Sequence, residues 1–251
     1  MARGAIAFPV LPGKSEADVR RIADRFQTDP VGYWESRRPQ GITLERAYWQ
    51  QTPMGDFVIA YLESTKPTLA EAFGSDVHDD TPMGQFFAAT VKEVHGIDLS
   101  QPPGGPPPEV IAEWSDPDVT VRRNGLAFMA PINPEMEGFA REWATDAYGR
   151  EAMTQSRRAL RQNLEVVTLM QTPQGPVTAI YVEGEDPRRG NEQFAASTTD
   201  FDMWFKENLK KIYPPFIDFS EPIPGITEIF DSETLAGVDV TGRPSQARTT
   251  A

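Results

Sequence analysis

The sequence predicts an α+β fold of two βαββαβ repeats whose antiparallel sheets pack face to face, and three observations carry that prediction. Residues 36–63 and 156–183 align without a gap, 120 positions apart, and 11 of the 28 pairs are identical. Composition alone would give about two. The same order of strand-like runs and helical periodicities recurs in both halves. Lastly, Phe57-Val58-Ile59-Ala60-Tyr61-Leu62 is apolar at every position, and Val177 to Val182 departs from this only at Thr178. A strand with one wet face alternates polar and apolar residues, so both of these are expected to be covered on two sides. The open face of one sheet is the natural cover for the other.

In the first repeat, Ile6 to Val10 reads as a strand. Ser15-Glu16-Ala17-Asp18 has capping-box spacing, and Val19, Ile22, Ala23 and Phe26 follow on one helical face. Pro30 restricts Asp29 and divides this helix from a second piece, Val31 to Arg38. Leu44 to Thr52 and Phe57 to Glu63 form a hairpin around Pro53-Met54-Gly55, where proline fixes φ and glycine supplies a positive one. Thr81 and Pro82 open the next helix, which carries Met83, Phe87, Val91 and Val94 on one face and stops at Gly96. An extended proline-rich stretch, 102–108, leads to a last strand, Val110 to Trp114.

The second repeat runs in parallel. Leu126-Ala127-Phe128 stands where Ile6-Ala7-Phe8 stood, and Asn133-Pro134 opens a helix bearing Phe139 and Trp143. Leu164 to Thr172 and Val177 to Glu183 repeat the hairpin, with Gln171-Thr172-Pro173-Gln174-Gly175 echoing Gln51-Thr52-Pro53-Met54-Gly55. Phe205, Leu209 and Ile212 mark the second helix, and Ile226 to Phe230 the last strand. Each repeat is expected to close its own four-stranded sheet with both helices on one face. The resulting division is 1–116 and 125–233 for the repeats and 117–124 for a polar linker. Residues 234–251 form a small, polar tail without periodicity, expected to be mobile.

Composition narrows the partners. A net charge of −13 opposes nucleic-acid binding, which relies on basic patches that displace counterions. With no cysteine, disulfide scaffolds, thiolate metal sites and thiol nucleophiles are excluded. No apolar run is long enough to span a bilayer and no leader peptide is evident, so a soluble cytoplasmic protein is expected. No G-x-S-x-G and no phosphate loop occurs. A barrel completed within one chain is expected to be a monomer or a weak homodimer.

The βαββαβ order, the apolar third strand and the duplication together resemble the dimeric α+β barrel superfamily of ferredoxin-like folds, over residues 4 to about 232. That superfamily includes antibiotic-biosynthesis monooxygenases, EthD-like proteins, polyketide cyclases, stress-responsive barrel proteins and haem enzymes. His95-Gly96-Ile97-Asp98 is similar to a phrase in one of its uncharacterised groups. The resemblance implies a barrel completed within a single chain. It brings no diagnostic catalytic motif, and no cofactor is expected.

Candidate site residues come from where the two copies differ. The second strand carries Arg46, Tyr48, Trp49 and Gln50 in the first repeat, against Val166, Thr168, Leu169 and Met170 in the second. Alternation places Arg46, Tyr48 and Gln50 on one face and Trp49 on the other. Facing the interior, they would be a polar handle in an apolar cavity; facing a helix, ordinary packing with a salt bridge. His95, in the last turn of a helix, reads either as a partly charged C-terminal cap or as a general base. Arg46, Tyr48 and His95 are thus candidates to bind and deprotonate a ligand, with Trp49, Gln50 and Trp34 as further ligand contacts. Trp34 also falls on a helical stripe, where core packing is the ordinary role. His78 sits in an acidic loop, Ser75 to Asp80, without a second histidine to complete a metal site, and none is expected. Arg37-Arg38 and Arg157-Arg158 recur in both copies, as do Glu45 and Glu165, and these read as structural charges at helix ends. Three functions stay open: a small apolar or aromatic ligand bound between sheets and helices; a cofactor-independent monooxygenase or cyclase; a structural or interaction protein with a filled core.

Overall fold

The elements form where their local chemistry places them. In the computed structural model, which describes residues 1–72, 80–101, 105–172 and 174–235, the first strand is β1 (Ala2–Pro9). Helix α1 (Glu16–Thr28) starts at the Ser15–Asp18 box, where the Asp18 carboxylate accepts from the Ser15 backbone N–H at 2.9 Å. Asp29 then caps α2 (Pro30–Arg37) by accepting from Gly32 at 3.0 Å. The hairpin β2 (Ile42–Thr52) and β3 (Gly55–Ser64) turns on Gly55, whose φ of 114° is open to glycine and strained for other residues. Short α3 (Leu69–Ala72) follows, then α4 (Pro82–His95), capped by Thr81 and ended at left-handed Gly96, and β4 (Glu109–Ser115).

The second repeat supplies β5 (Asn124–Pro131), α5 (Glu137–Tyr148) and α6 (Glu151–Ala159). Its hairpin is β6 (Gln162–Thr172) and β7 (Gly175–Gly184), followed by α7 (Pro187–Ala196), α8 (Asp200–Ile212) and β8 (Ile226–Asp231). Helix α7, opened by Asp186 accepting from Arg189, was not expected from the sequence. Proline 173 and the first part of the expected polyproline stretch (102–104) lie outside the described residues, as do residues 236–251 of the expected tail and the His78 loop from 75 to 79. Among the described residues no helix is long and apolar enough to cross a membrane.

Two four-stranded antiparallel sheets face each other, with helices outside both, as the apolar third strands require. The sheets do not coincide with the repeats, however. Their strand orders are β1-β3-β2-β8 and β4-β6-β7-β5, so each repeat gives its last strand to the other sheet. This corrects the expectation that each repeat closes its own sheet. Strand β8 pairs with β2, setting Asp231 opposite Arg46, and β4 pairs with β6, setting Glu113 opposite Val166. Strand β4 thus lies in the sheet built mainly from the second repeat.

The inner face of β2 carries Leu44, Arg46, Tyr48 and Gln50, and that of β7 carries Val177, Ala179, Tyr181 and Glu183. At the seams, side chains of one sheet satisfy the edge backbone of the other. Gln50 brackets Met129 on β5, donating to its carbonyl at 3.3 Å and accepting from its N–H at 2.7 Å. On the opposite seam Thr168 and Met170 accept from the N–H groups of Ala5 and Ala7 on β1, at 3.1 and 3.2 Å. This accounts for part of the divergence between the two second strands: an amide serves one edge, a hydroxyl and a thioether the other. Gln50→Leu is expected to cost about 1–3 kcal/mol by leaving the Met129 groups buried and unpaired. Urea denaturation measures that cost, and faster amide exchange at Met129 would locate it.

Candidate functional site

Arg46 is fully buried at the centre of a polar cluster between the sheets. It donates to Asp231 at 3.0 Å, to Glu183 at 3.1 Å, to Glu233 at 2.7 Å and to the Tyr181 hydroxyl. Burial disfavours its cation, but the surrounding phenols and carboxylates, Tyr181 and Asp231 first, more than restore it. The duplicated Tyr61 and Tyr181 stack across the pseudo-symmetric centre with ring centroids 3.5 Å apart. Each donates to the carboxylate two residues on, Tyr61 to Glu63 at 2.8 Å and Tyr181 to Glu183 at 3.0 Å. From the linker, Arg122 reaches in and clamps Glu63 through two hydrogen bonds. Burial pushes the Glu63 carboxyl up, yet the Arg122 bonds and charge hold it below the ordinary carboxylate range. Gly125 makes room for this cluster: a Cβ there would meet the Tyr48 hydroxyl and come within 2.7 Å of the Tyr181 ring. Tyr48 itself is buried with no hydrogen-bond partner for its hydroxyl, and burial raises its pKa despite the nearby Arg46 charge.

The outer faces of the sheets carry a second set of duplicated charges. Arg37 pairs with Glu45 at 2.6 Å and Arg157 with Glu165 at 2.5 Å, all four buried between helix and strand. Tyr33 donates to Glu45 at 2.9 Å, and Tyr148 donates to Glu165. The recurring Arg and Glu are therefore partners of each other across a spacing of eight residues, in place of helix-end charges. Arg38 and Arg158 are both exposed, and Arg158 holds Asp116 at 2.7 Å.

Around these matching pairs the two layers differ. The first is closed by Phe26, Tyr33, Phe87 and Phe230, with ring centroids 4.8 Å (Phe26–Tyr33) to 5.9 Å (Phe26–Phe87) apart. The second encloses a cavity of about 80 Å³ between its sheet and α5, α7 and α8. Trp143, Phe205 and Ile180 form apolar wall, and Glu165, Gln162 and the hydrogen-bonded Thr178–Tyr213 hydroxyl pair are its polar lining. Burial pushes the Tyr213 hydroxyl up to about 12. Two buried polar atoms of lining residues, Trp143 Nε1 and Gln162 Oε1, have no hydrogen-bond partner. Trp49 Nε1 is also unpartnered, in the closed layer.

The residues singled out in the sequence fall on two surfaces. Arg46, Tyr48 and Gln50 share the inter-sheet face, while Trp49 points into the first helical layer. Trp34 is half-buried there, edge-on to Tyr33 at 4.9 Å. His95 packs against Phe8, and its Nδ1 lies 2.8 Å from the Pro9 carbonyl. Burial lowers its pKa, only partly offset by that bond, so the ring stays neutral near pH 7 in place of the expected partial charge. Arg46 and Tyr48 therefore do not meet His95. The cavity residues Trp143, Gln162 and Tyr213 were not predicted as a site. Among the described residues no group of three or more His, Asp or Glu side chains is placed to hold a metal.

No protein-family model matches the chain, and no curated protein matches it. Three solved structures are similar. One is a "Putative monooxygenase" from Fusobacterium nucleatum, at 12% identity, covering 90% of this chain and 88% of that one, with a TM-score of 0.46. An anthrone oxidase-like protein aligns at 8% identity over 90% and 88%, with a TM-score of 0.49. A "putative monooxygenase" from Lactobacillus acidophilus aligns at 9% over 92% and 93%, with a TM-score of 0.44. Likenesses this distant add nothing about chemistry to the topology described above.

Proposed function

We propose that the chain binds a small, neutral, largely apolar molecule in the cavity between the second sheet and helices α5 and α8. The observation that carries this reading is the pair of buried, unpartnered polar atoms, Trp143 Nε1 and Gln162 Oε1, on residues that line a largely apolar space. A buried donor or acceptor left unmade costs about 1–3 kcal/mol, so a donor and an acceptor held open together favour an occupant that supplies both partners. The charged lining groups, Arg157 and Glu165, already neutralise each other, which disfavours an ionic occupant. Size limits the ligand as well. The cavity, about 80 Å³, falls below the ~300–1,000 Å³ of ordinary ligand pockets and below the ~150 Å³ of an engineered benzene site. One small ring, with some yielding at half-buried Ile111 and Asn191, is the upper bound.

Thermal unfolding in the presence of phenol, benzene and benzoate tests this. Phenol should raise the midpoint, benzene less, and benzoate not at all; at 100 times Kd the gain is about 2.7 kcal/mol. Trp143→Phe should weaken phenol more than benzene. If none of the three shifts the midpoint, and solvent alone fills the cavity, the proposal fails.

A further inference from the structure

We propose that Tyr61 and Tyr181 form an oxidation-sensitive pair at which a one-electron oxidant joins the two sheets through a dityrosine bond. This site is separate from the cavity and does not depend on it. The two rings are stacked, parallel to within 5°, and their centroids lie 3.5 Å apart. Aromatic pairs in proteins ordinarily keep ~4.5–7 Å between centroids, so these ring faces are at contact. Both side chains are fully buried and lie on facing strands, β3 and β7, at identical places in the two repeats.

The chemistry needs a place for protons, and each ring has one. Losing one electron makes a phenol O–H strongly acidic, and Glu63 and Glu183 sit at 2.8 and 3.0 Å to accept it. Glu63 can take the proton even though Arg122 holds it acidic, because an oxidised phenol is the stronger acid. Tyr48 provides an internal contrast: it is equally buried on the same inter-sheet face, but its hydroxyl has no acceptor.

The step balances as follows. Two equivalents of oxidant take one electron from each tyrosine, and the two phenolic protons pass to the carboxylates and then to water. One carbon–carbon bond forms between ring carbons ortho to the hydroxyls. The hydrogens on those two carbons then move to the oxygens and restore both phenols. The oxidant class is a diffusible one-electron acceptor of high potential; electrons leave through the protein, so the reagent need not enter the core.

The test irradiates the full chain with tris(bipyridyl)ruthenium(II) and persulfate, followed by dityrosine fluorescence and peptide mass mapping. The expected product is an intramolecular link between Tyr61 and Tyr181, running faster on a denaturing gel because the intervening chain is closed into a loop. Tyr61→Phe and Tyr181→Phe, each checked for folding by circular dichroism, should each abolish it, whereas Tyr48→Phe should keep it. Absence of the link, under conditions that couple free tyrosine in the same solution, would overturn the proposal. So would a link that survives either phenylalanine substitution.

Discussion

Raising the pH above 10 is expected to unfold the protein within about two units, in one steep transition. All six tyrosines, Tyr33, Tyr48, Tyr61, Tyr148, Tyr181 and Tyr213, have hydroxyl pKa values raised above the ordinary phenol range, in each case chiefly by burial. Tyr213 is raised to about 12. The sign is fixed by linkage. A group whose folded pKa lies above its unfolded one contributes stability that is fully present below pH 10 and lost as pH rises toward the folded value. Above pH 10 the unfolded chain sheds phenolic protons while the folded chain keeps them. Each tyrosine then costs up to about 1.4 kcal/mol per pH unit. Six of them would exhaust a typical stability of ~5–15 kcal/mol in one to two units. Tyrosinate absorbance and far-ultraviolet circular dichroism, recorded together, should change at the same pH. Gradual tyrosinate formation from pH 10, with the fold intact, would show that the phenols are not sealed as described.

Arg46→Met should lower the unfolding free energy by about 3–5 kcal/mol, the usual cost of removing one partner from a buried ion pair. Methionine has similar length and fills the same space, so the loss isolates the charge. It takes the guanidinium away from Glu183 and Asp231, which are both buried, and from the Tyr181 hydroxyl. Arg46→Lys should recover only part of the deficit. A single ammonium cannot meet carboxylates on β7, on β8 and beyond it, as the fork of Nε, Nη1 and Nη2 does. Urea midpoints of the three proteins decide the matter, and a methionine cost under about 1 kcal/mol would mean that the cluster contributes little.

The duplication and the face-to-face packing of two antiparallel sheets could be read in the chain, and beyond that what was legible was local. The Ser15 and Thr81 caps and both Gln-Thr-Pro-x-Gly turns follow from backbone chemistry within a few residues, and each stands where the pattern put it, save Pro173, which lies outside the described residues. Alternation also grouped Arg46, Tyr48 and Gln50 correctly against Trp49. It could not say which group faced inward, because both faces of these strands are buried. The Arg37–Glu45 and Arg157–Glu165 pairs were visible as four repeated residues, and the matched spacing was the unused clue. Strand exchange was beyond reach for a different reason. Strands β2 and β6 are both 11 residues long and hold the same place in their repeats, so length and position do not tell which last strand each receives. The cavity depends on how Trp143 and Phe205 fill space compared with Phe26 and Phe87, and aromatic content alone does not distinguish the two layers.

The exchanged strands also set an order for the protein's own birth. Strand β2 pairs with β8, and Arg46 and Asp231 stand 185 residues apart in sequence. During synthesis the first sheet therefore waits, with the edge of β2 open and Arg46 lacking Asp231, until β8 (Ile226–Asp231) has left the ribosome. The second sheet has no such delay, since β4 precedes β5, β6 and β7. At about 5–20 residues per second the gap between making β2 and making β8 is on the order of ten seconds or more. An open, apolar edge exposed for that time is a template for pairing with another nascent chain. Ribosome-bound chains ending before residue 226 should accordingly be protected in the second sheet and labile in the first, and slow translation should favour their aggregation.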